Sequence, residues 1–574
     1  MQDIYAQEAL SQIPRLLSSQ DRNSFSPTYG CFNREFWLNR TRDFPDAIAQ
    51  FGTLSLALVW AYKFPQGEQY YKNLQIKNWV LAGIEYWIKI QHRDGSYDEF
   101  YPNERGWAGP TGFLLYAMLR SYEVLENEFP KELTVRFFTA VKKSAWFLAT
   151  REEEGVLANH HAMALLPIYQ AYRHLQKSDP GFSEKLLKKF EKRLNVFFGY
   201  CYEEGWCLEY DGADPGYLSA TVSFLSKMQK YIPASPNSEN RSEWSEKIQT
   251  VIDKAIDFSS YFLYPNGSYG GTLGSRQTLH FYAHGYELQA RHNPLALSCA
   301  EFALRALSEN KLVPPGIQNE RYFVYRIPEY LEAYIDYTER HDNLPPLPHQ
   351  KKSFEKYFEQ SKILIKNIDS HYMLVNFAKG GIIKIFSKHK KNLAFADDGI
   401  LAKLSSGKIL SSHWVGKEYE IENLERYWRV RGNLHKLSFS NFTPLTMMGF
   451  RIFMLLAGWD ARVANKIKGV IRNIIVTGST KSQISFERTF SFNTDTITIN
   501  NIISSKGRVS MLRVSGQFAP RYVPQSRYFQ KEELDDTYWL APKEALDMLN
   551  ENKRIILREI YNTKNSQAVF EVEK

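Results

Sequence analysis

The chain has 574 residues, too many for one hydrophobic core of ordinary size, so two or three domains are expected. Hydrophobic residues make up 44% and the mean hydropathy is −0.42, the profile of a globular chain in water. The net charge of +9 is spread along the chain rather than clustered, which excludes the basic patch of a nucleic-acid binder and leaves room for another polyanionic partner.

The N-terminal segment MQDIYAQEALSQIPRLL lacks a basic stretch followed by an apolar one, so no signal peptide is read there. The longest apolar run, Met447 to Gly458, is interrupted by Arg451 and falls short of the ~18 residues of a spanning helix. The expectation is a cytoplasmic protein without membrane insertion, or a periplasmic or secreted one if a leader has been removed. The four cysteines, Cys31, Cys201, Cys207 and Cys299, form no C-x-x-C pair and no zinc spacing; reduced, partly buried thiols are expected.

Over the first ~345 residues apolar positions recur at three-to-four spacing, which predicts helices near 48–63, 77–91, 111–125, 133–150, 162–175, 183–200, 218–231, 245–261, 286–290 with 295–307, and 327–337. A repeat runs through them. Four times a helix gives way to a Gly-containing turn and a polar, aromatic loop, at Gly95, Gly155, Gly205 and Gly267, which lie 60, 50 and 62 residues apart. One helical hairpin needs about that length. Paired helices with rich, uneven loops on one rim describe an (α/α) toroid, here expected to be incomplete, with its cleft on that rim.

A Pro-rich stretch, Asn343 to His349, ends the helical region. A charged helix is expected over Lys352–Gln360. From about Ser361 the hydrophobic period changes to two, with candidate strands at 372–377, 381–387, 399–404, 426–431, 436–440, 471–477, 483–492, 496–504, 510–515 and 554–561. The fold class is thus multidomain, α then β: a toroid over 1–345, a linker over 346–360, and an antiparallel β-sandwich over 361–574.

The chemistry-bearing residues concentrate in the four loops. The first holds Asp98, Glu99, Glu104, Arg105 and Trp107; the second Asn159, His160 and His161; the third Glu209, Tyr210 and Tyr217; the fourth Arg276, His280 and His284. This set suits β-elimination on a uronate-containing polysaccharide. That reaction needs the uronate carboxylate neutralised by Asn, Arg or His, a base for the C5 proton, and an acid for the leaving oxygen. A tyrosine whose pKa is lowered by nearby cations would serve as base, and Arg276 with the histidines would supply the field. Each residue also has a plainer role open to it: Asn159 as a helix cap, the tyrosines as packing, the histidines as core residues. Glu99 with Asp211 or Asp214 would make the carboxylate pair of a glycoside hydrolase instead. A non-catalytic glycan-binding protein and a C5-epimerase are further alternatives.

The Asn159-His160 pair, the Glu209-Tyr210…Tyr217 loop and the Gly-Ser-Arg276 loop, followed by a sandwich, resemble the polysaccharide lyases of the α/α-toroid class, which include heparinase II/III-like, alginate lyase-like and chondroitin/hyaluronate lyase-like families. The resemblance implies Asn159 as carboxylate neutraliser, Tyr217 as base and acid, His160 as a neighbouring catalytic group and Arg276 beside the tyrosine. It adds His413, in Ser411-Ser412-His413-Trp414, as a histidine reaching in from the β domain. Arg105, Trp107, Glu209, Tyr210, His280, His284 and His413 are the expected substrate-binding set. The sandwiches of heparinase II/III-like enzymes often carry a His-x-His-x-Asp stretch; the corresponding Ala394–Gly399 segment has no histidine, so no metal and no cofactor are expected. The expected partner is an acidic polysaccharide or oligosaccharide.

Overall fold

The computed structural model describes residues 1–573 except 106, 152, 154, 233–238, 416–418, 438–441, 475–477, 520–522, 524 and 525. The helices of the first half run α1 (Asp3–Leu10), α2 (Ile13–Ser19), α3 (Arg34–Trp37), α4 (Gly52–Ala61), α5 (Leu74–Lys89), α6 (Ala108–Leu125), α7 (Lys131–Thr150), α8 (Ala158–Leu175), α9 (Pro180–Phe198), α10 (Pro215–Gln229), α11 (Glu239–Ser260), α12 (Ala283–Gln289), α13 (Pro294–Ser308) and α14 (Phe323–Ile335). From α4 to α14 the even-numbered helices form an inner ring, each packed on the next. The odd-numbered helices from α5 to α13, together with α1, lie outside them. This is the expected α/α toroid, and its last inner helix, α14, also packs on its first, α4.

Composition explains which helix goes where. Inner α4, Gly-Thr-Leu-Ser-Leu-Ala-Leu-Val-Trp-Ala, has no charged residue and is buried from Gly52 to Trp60. Outer α9 is amphipathic: Leu186, Phe190, Leu194 and Phe197 recur every three or four residues on its buried face, while its lysines face outward. Burying each of these side chains contributes about 1.5–3 kcal/mol. Asp179 and Asp214 start α9 and α10 as N-caps followed by proline, so the chain turns sharply into each helix.

The repeat glycines are one recurring turn. Gly95, Gly155, Gly205 and Gly267 have φ of 93°, 92°, 97° and 88°. Each connects an outer helix to the next inner one, so the four loops share a rim. At Gly205 a Cβ would stand 2.1 Å from the Lys254 carbonyl oxygen, so the turn presses against the following outer helix and only glycine fits.

The second half is β. In the third rim loop, β1 (Leu208–Glu209) pairs with β2 (Gly212–Ala213). A five-stranded antiparallel sheet follows, with β3 (Phe354–Phe358), β4 (Ile363–Asn367), β5 (His371–Asn376), β6 (Ile382–Ser387) and β7 (Asn392–Asp397) paired in sequence order. The larger sheet holds β8 (Leu401–Leu404), β9 (Ile409–Ser411), β10 (Glu420–Leu424), β11 (Tyr427–Leu437), β12 (Thr480–Phe492), β13 (Thr496–Ser505), β14 (Val509–Val514), β15 (Trp539–Leu540), β16 (Arg554–Asn562) and β17 (Gln567–Glu573), with β14 beside β8 and β9 beside β11. In β5 and β6 every residue is buried, because alternate side chains enter different cores. Leu374 and Ile382 pack with the toroid, whereas Met373, Val375 and Ile383 pack with the outer sheet.

Several expectations are corrected. The segment Lys352–Gln360 is not a helix: its aromatics build β3, where Phe358 meets Phe258 of the toroid at 4.9 Å. The strands expected at 426–431 and 436–440 are one strand, β11, with an irregularity between Asn433 and His435; residues 438–440 lie outside the described residues. The strand expected at 471–477 is absent at its start, where Ile471 and Arg472 end a helix, and residues 475–477 lie outside the described residues. Among the described residues the β half is interrupted by α15 (Pro444–Ala457), α16 (Ala461–Arg472) and α17 (Lys543–Asn552). Among the described residues, no helix is long and apolar enough to cross a membrane.

Candidate active site

The rim loops and the α15–α16 hairpin enclose a cavity of about 570 Å³. From the toroid come Trp107, Asn159, His160, Tyr210, Tyr217 and Arg276; from the hairpin come Phe450, Arg451, Lys468 and Arg472. Trp107, Asn159 and Tyr217 stand at or beside the N-termini of α6, α8 and α10, so three helix dipoles turn their positive ends toward this space.

Asn159 is held by Glu209. The Asn159 backbone N–H donates to Glu209 Oε1 and its Nδ2 donates to Oε2, both at 2.7 Å. One carboxyl thus caps α8 and fixes the amide, leaving the second amide N–H for a ligand. Burial pushes the Glu209 carboxyl well above the usual range, outweighing these two donors.

His160 is held from behind by Glu153, whose Oε2 lies 3.0 Å from Nδ1, and its ring meets Trp107 edge-on at 5.5 Å. That contact leaves Nε2 as the working nitrogen. Glu153 also pairs with Lys468 of α16, whose ammonium sits 3.5 Å over the Trp107 ring. Burial alone would raise the Glu153 carboxyl, but Lys468 and His160 together hold it well below the usual range.

The Arg276 guanidinium lies 4.4 Å over the Tyr210 ring, and its backbone N–H is fixed by Asp214 Oδ2 at 2.8 Å. Its Nε is buried without a hydrogen-bond partner. Arg472 comes from α16 to the same Tyr210 ring, its guanidinium 6.0 Å from the ring centre, with both Nε and Nη1 buried and unpartnered. Two cations with unsatisfied donors in one aromatic chamber are arranged for an anion the size of a carboxylate.

The tyrosines do not behave as a cation-lowered base should. Burial pushes the Tyr217 phenol well above its ordinary value, and Arg276 recovers only part of that. Tyr210 is pushed up to about 12 by burial, again against Arg276. At neutral pH both phenols keep their protons.

Other expected site residues lie elsewhere. Arg105 turns toward His92 and Asn103, each at 3.5 Å. His280 is buried against Tyr528, the rings 5.6 Å apart. His284 is buried in the toroid, with Nε2 2.8 Å from Asp336. His413 is buried in the sandwich, with Nδ1 3.0 Å from the Asp398 carbonyl. None of these four lines the cavity. Of the carboxylates of the hydrolase alternative, Glu99 lines the cavity and is bonded to Arg321 at 3.1 Å, whereas Asp211 and Asp214 do not line it, and Asp214 is taken up by the backbone N–H groups of Tyr217 and Arg276. Among the described residues, no cluster of three or more His, Cys, Asp or Glu is placed to hold a metal ion.

Glu153, Lys468, Arg451 and Arg472 were not foreseen. The last three follow from the α15–α16 hairpin, whose basic residues were legible as Arg451, Lys466, Lys468 and Arg472 but not as a helix over the rim.

Its structural neighbours include heparinase III and a chondroitinase AC lyase. Heparinase III matches at 11% identity over 89% of this chain and 76% of that one, with a TM-score of 0.43. The chondroitinase AC lyase matches at 9% identity over 99% and 97%, with a TM-score of 0.35. A GH127 β-L-arabinofuranosidase from Geobacillus stearothermophilus T6 matches at 9% identity over 94% of each chain, also at 0.35. No family model matches the chain, and no curated protein does.

Proposed function

We propose that the protein is a polysaccharide lyase that cleaves a uronate-containing chain by β-elimination. The observation that carries this reading is the pair of half-buried arginines, Arg276 and Arg472, which line one aromatic cavity with the Asn159 amide and keep buried, unpartnered donors: Nε of Arg276, and Nε and Nη1 of Arg472. Such a pocket is costly when empty and is satisfied by a carboxylate. Neutralising that carboxylate acidifies the C5 proton beside it.

His160 takes the C5 proton at Nε2, with Glu153 holding the ring and stabilising the imidazolium that forms. The electron pair left on C5 becomes the C4–C5 double bond, and the C4–O bond breaks. Tyr217, still protonated, gives its phenolic proton to the departing oxygen. Burial, which raises the Tyr217 phenol, disqualifies it as the resting base and keeps on it the proton that an acid must carry. Trp107 and Tyr210 line the cavity beneath Lys468 and Arg276 and add apolar ring surface against a bound sugar.

The test is incubation with a panel of uronate polysaccharides, following the ultraviolet absorbance of the unsaturated product. A lyase gives absorbance together with new chain ends. New reducing ends without absorbance mean hydrolysis, and unchanged chain length means binding or epimerisation; either refutes the reading. Tyr217→Phe is expected to abolish cleavage with the fold intact.

A further inference from the structure

Helix α15 has two unlike faces. Met447, Phe450, Arg451 and Met454 turn inward; Phe450 meets Tyr101 at 5.1 Å and the Met454 carbonyl accepts from Asn103 Nδ2 at 3.2 Å. On the opposite side Leu445, Met448, Ile452, Leu455, Leu456 and Trp459 recur every three or four residues and are all exposed, Leu445 by 75% and Leu456 by 73%. At 100° per residue these positions, with Phe453, span an arc of about 160°. An apolar surface of this breadth on a water-soluble helix marks something that covers it.

Its surroundings point to one occupant. Residues 442–474 carry five basic side chains, Arg451, Arg462, Lys466, Lys468 and Arg472, and a single acidic one, Asp460. Lys468 and Arg472 serve the cavity, whereas Arg462 and Lys466 are exposed on α16, one turn apart, and Val470 follows on the same face. The hairpin joins an exposed apolar stripe on α15, with Trp459 just past its end, to exposed Lys466 and to exposed Arg462, which also pairs with Asp460 at 3.2 Å. A wide apolar face in a basic, nearly acid-free segment is the composition of a helix that lies in an anionic lipid interface. At 14 residues, about 21 Å, α15 is too short to cross a bilayer but long enough to lie along one.

We propose that the α15–α16 hairpin docks on an anionic lipid surface, with the α15 stripe in the boundary between headgroups and acyl chains and with Arg462 and Lys466 on the lipid phosphates. Because the inner face of the same helix walls the cavity, docking holds the mouth of the site at the membrane surface. This does not rest on the lyase reading, and its test uses no polysaccharide.

The full chain is floated with vesicles of phosphatidylcholine alone and of phosphatidylcholine mixed with phosphatidylglycerol. The protein is expected to float with the mixed vesicles, less with the neutral ones, and less at high salt. The double substitution Leu455→Asp with Leu456→Asp changes two exposed side chains, so the fold persists, as circular dichroism would check. It is expected to lower vesicle affinity on the order of 100-fold or more, since each leucine lost from an apolar medium is worth about tenfold or more. Arg462→Glu with Lys466→Glu is expected to abolish the preference for the anionic vesicles. Absence of flotation with either vesicle overturns the proposal. So does a dimer in sedimentation velocity that the leucine substitutions dissociate while vesicles leave it unchanged, which would assign the stripe to a second copy of the chain.

Discussion

Arg472 offers the sharpest test of the site, because a functional and a structural role for it predict opposite changes in stability. Its guanidinium comes from α16 into a cavity built mostly by the toroid, and Nε and Nη1 are buried there without partners. Replacement by methionine keeps an unbranched apolar stem and removes the charge. If these donors wait for the substrate carboxylate, the loss is that of a hydrogen bond to a charged group, about 1.5–3 kcal/mol. That converts to a fall in kcat/KM of about 10- to 150-fold. The unliganded protein meanwhile sheds a half-buried cation with two unmet donors, so its Tm should hold or rise. The assay is the rate of unsaturated product formation on the best substrate, run beside thermal melts of wild type and Arg472→Met. A carboxyl-reduced version of the same polymer supplies the control: both proteins should treat it alike. A variant with wild-type kcat/KM, or one whose Tm drops while its activity follows the folded fraction, refutes the reasoning.

Glu209→Gln keeps the size of the side chain but sets an amide N–H₂ against one of the two Asn159 donors, so kcat/KM should fall by about 1–3 kcal/mol, with the melting temperature little changed; unchanged activity would show that Asn159 needs no such holder. Gly205→Ala should destabilise the toroid by about 1–3 kcal/mol or more, since φ is 97° and the new methyl would meet the Lys254 carbonyl; an unaltered Tm would contradict the turn as described. Acid should destabilise the protein below neutrality. Burial holds His280 and His413 well below the ordinary histidine value and lowers His161 and His349 to about 4. The unfolded chain therefore binds protons that the folded one refuses, and as pH falls from 6.5 toward 4 each such histidine removes about 1.4 kcal/mol per pH unit. Urea midpoints measured at pH 7 and pH 5 would check this, and equal midpoints would count against it.

The helical half was legible because burial there follows one period. Each outer helix hides one stripe, and the rim glycines recur because the same turn holds each of them at a positive φ. The β half was legible where strands are long and alternate, as in β12 and β13, and poorly legible at β3 and β4. Phe354-Glu-Lys-Tyr-Phe358 carries charge among its aromatics and reads as a helical surface unless the toroid it packs on is known. The site divides in the same way. Asn159, His160, Tyr210, Tyr217 and Arg276 sit on loops at a common period, and the structure brings them together. His280 and His284 share the fourth loop by sequence, but His284 falls in α12 and is buried in the toroid, while His280 is buried against Tyr528, so neither lines the cavity. Arg472 and Lys468 lie far from the loops along the chain, and only the path of the hairpin over the rim joins them to His160 and Tyr210. No local signal encodes that path.

Strands β5 and β6 of the five-stranded sheet have no surface of their own to spare. Leu374 looks into the toroid and Val375, next along the chain, looks into the outer sheet. Tyr372 donates to the Tyr261 carbonyl at 2.8 Å and Asn376 to that of Leu273 at 2.8 Å, so the same strand also grips the helices by hydrogen bonds. Severing the chain near residue 350 would strip one face from each half, leaving a toroid with an open apolar flank and a sandwich with its inner sheet bared. The two halves therefore cannot be exchanged freely among related chains: a change of residue on β5 alters two interiors at once, and the loops that shape the cavity inherit the consequences of both.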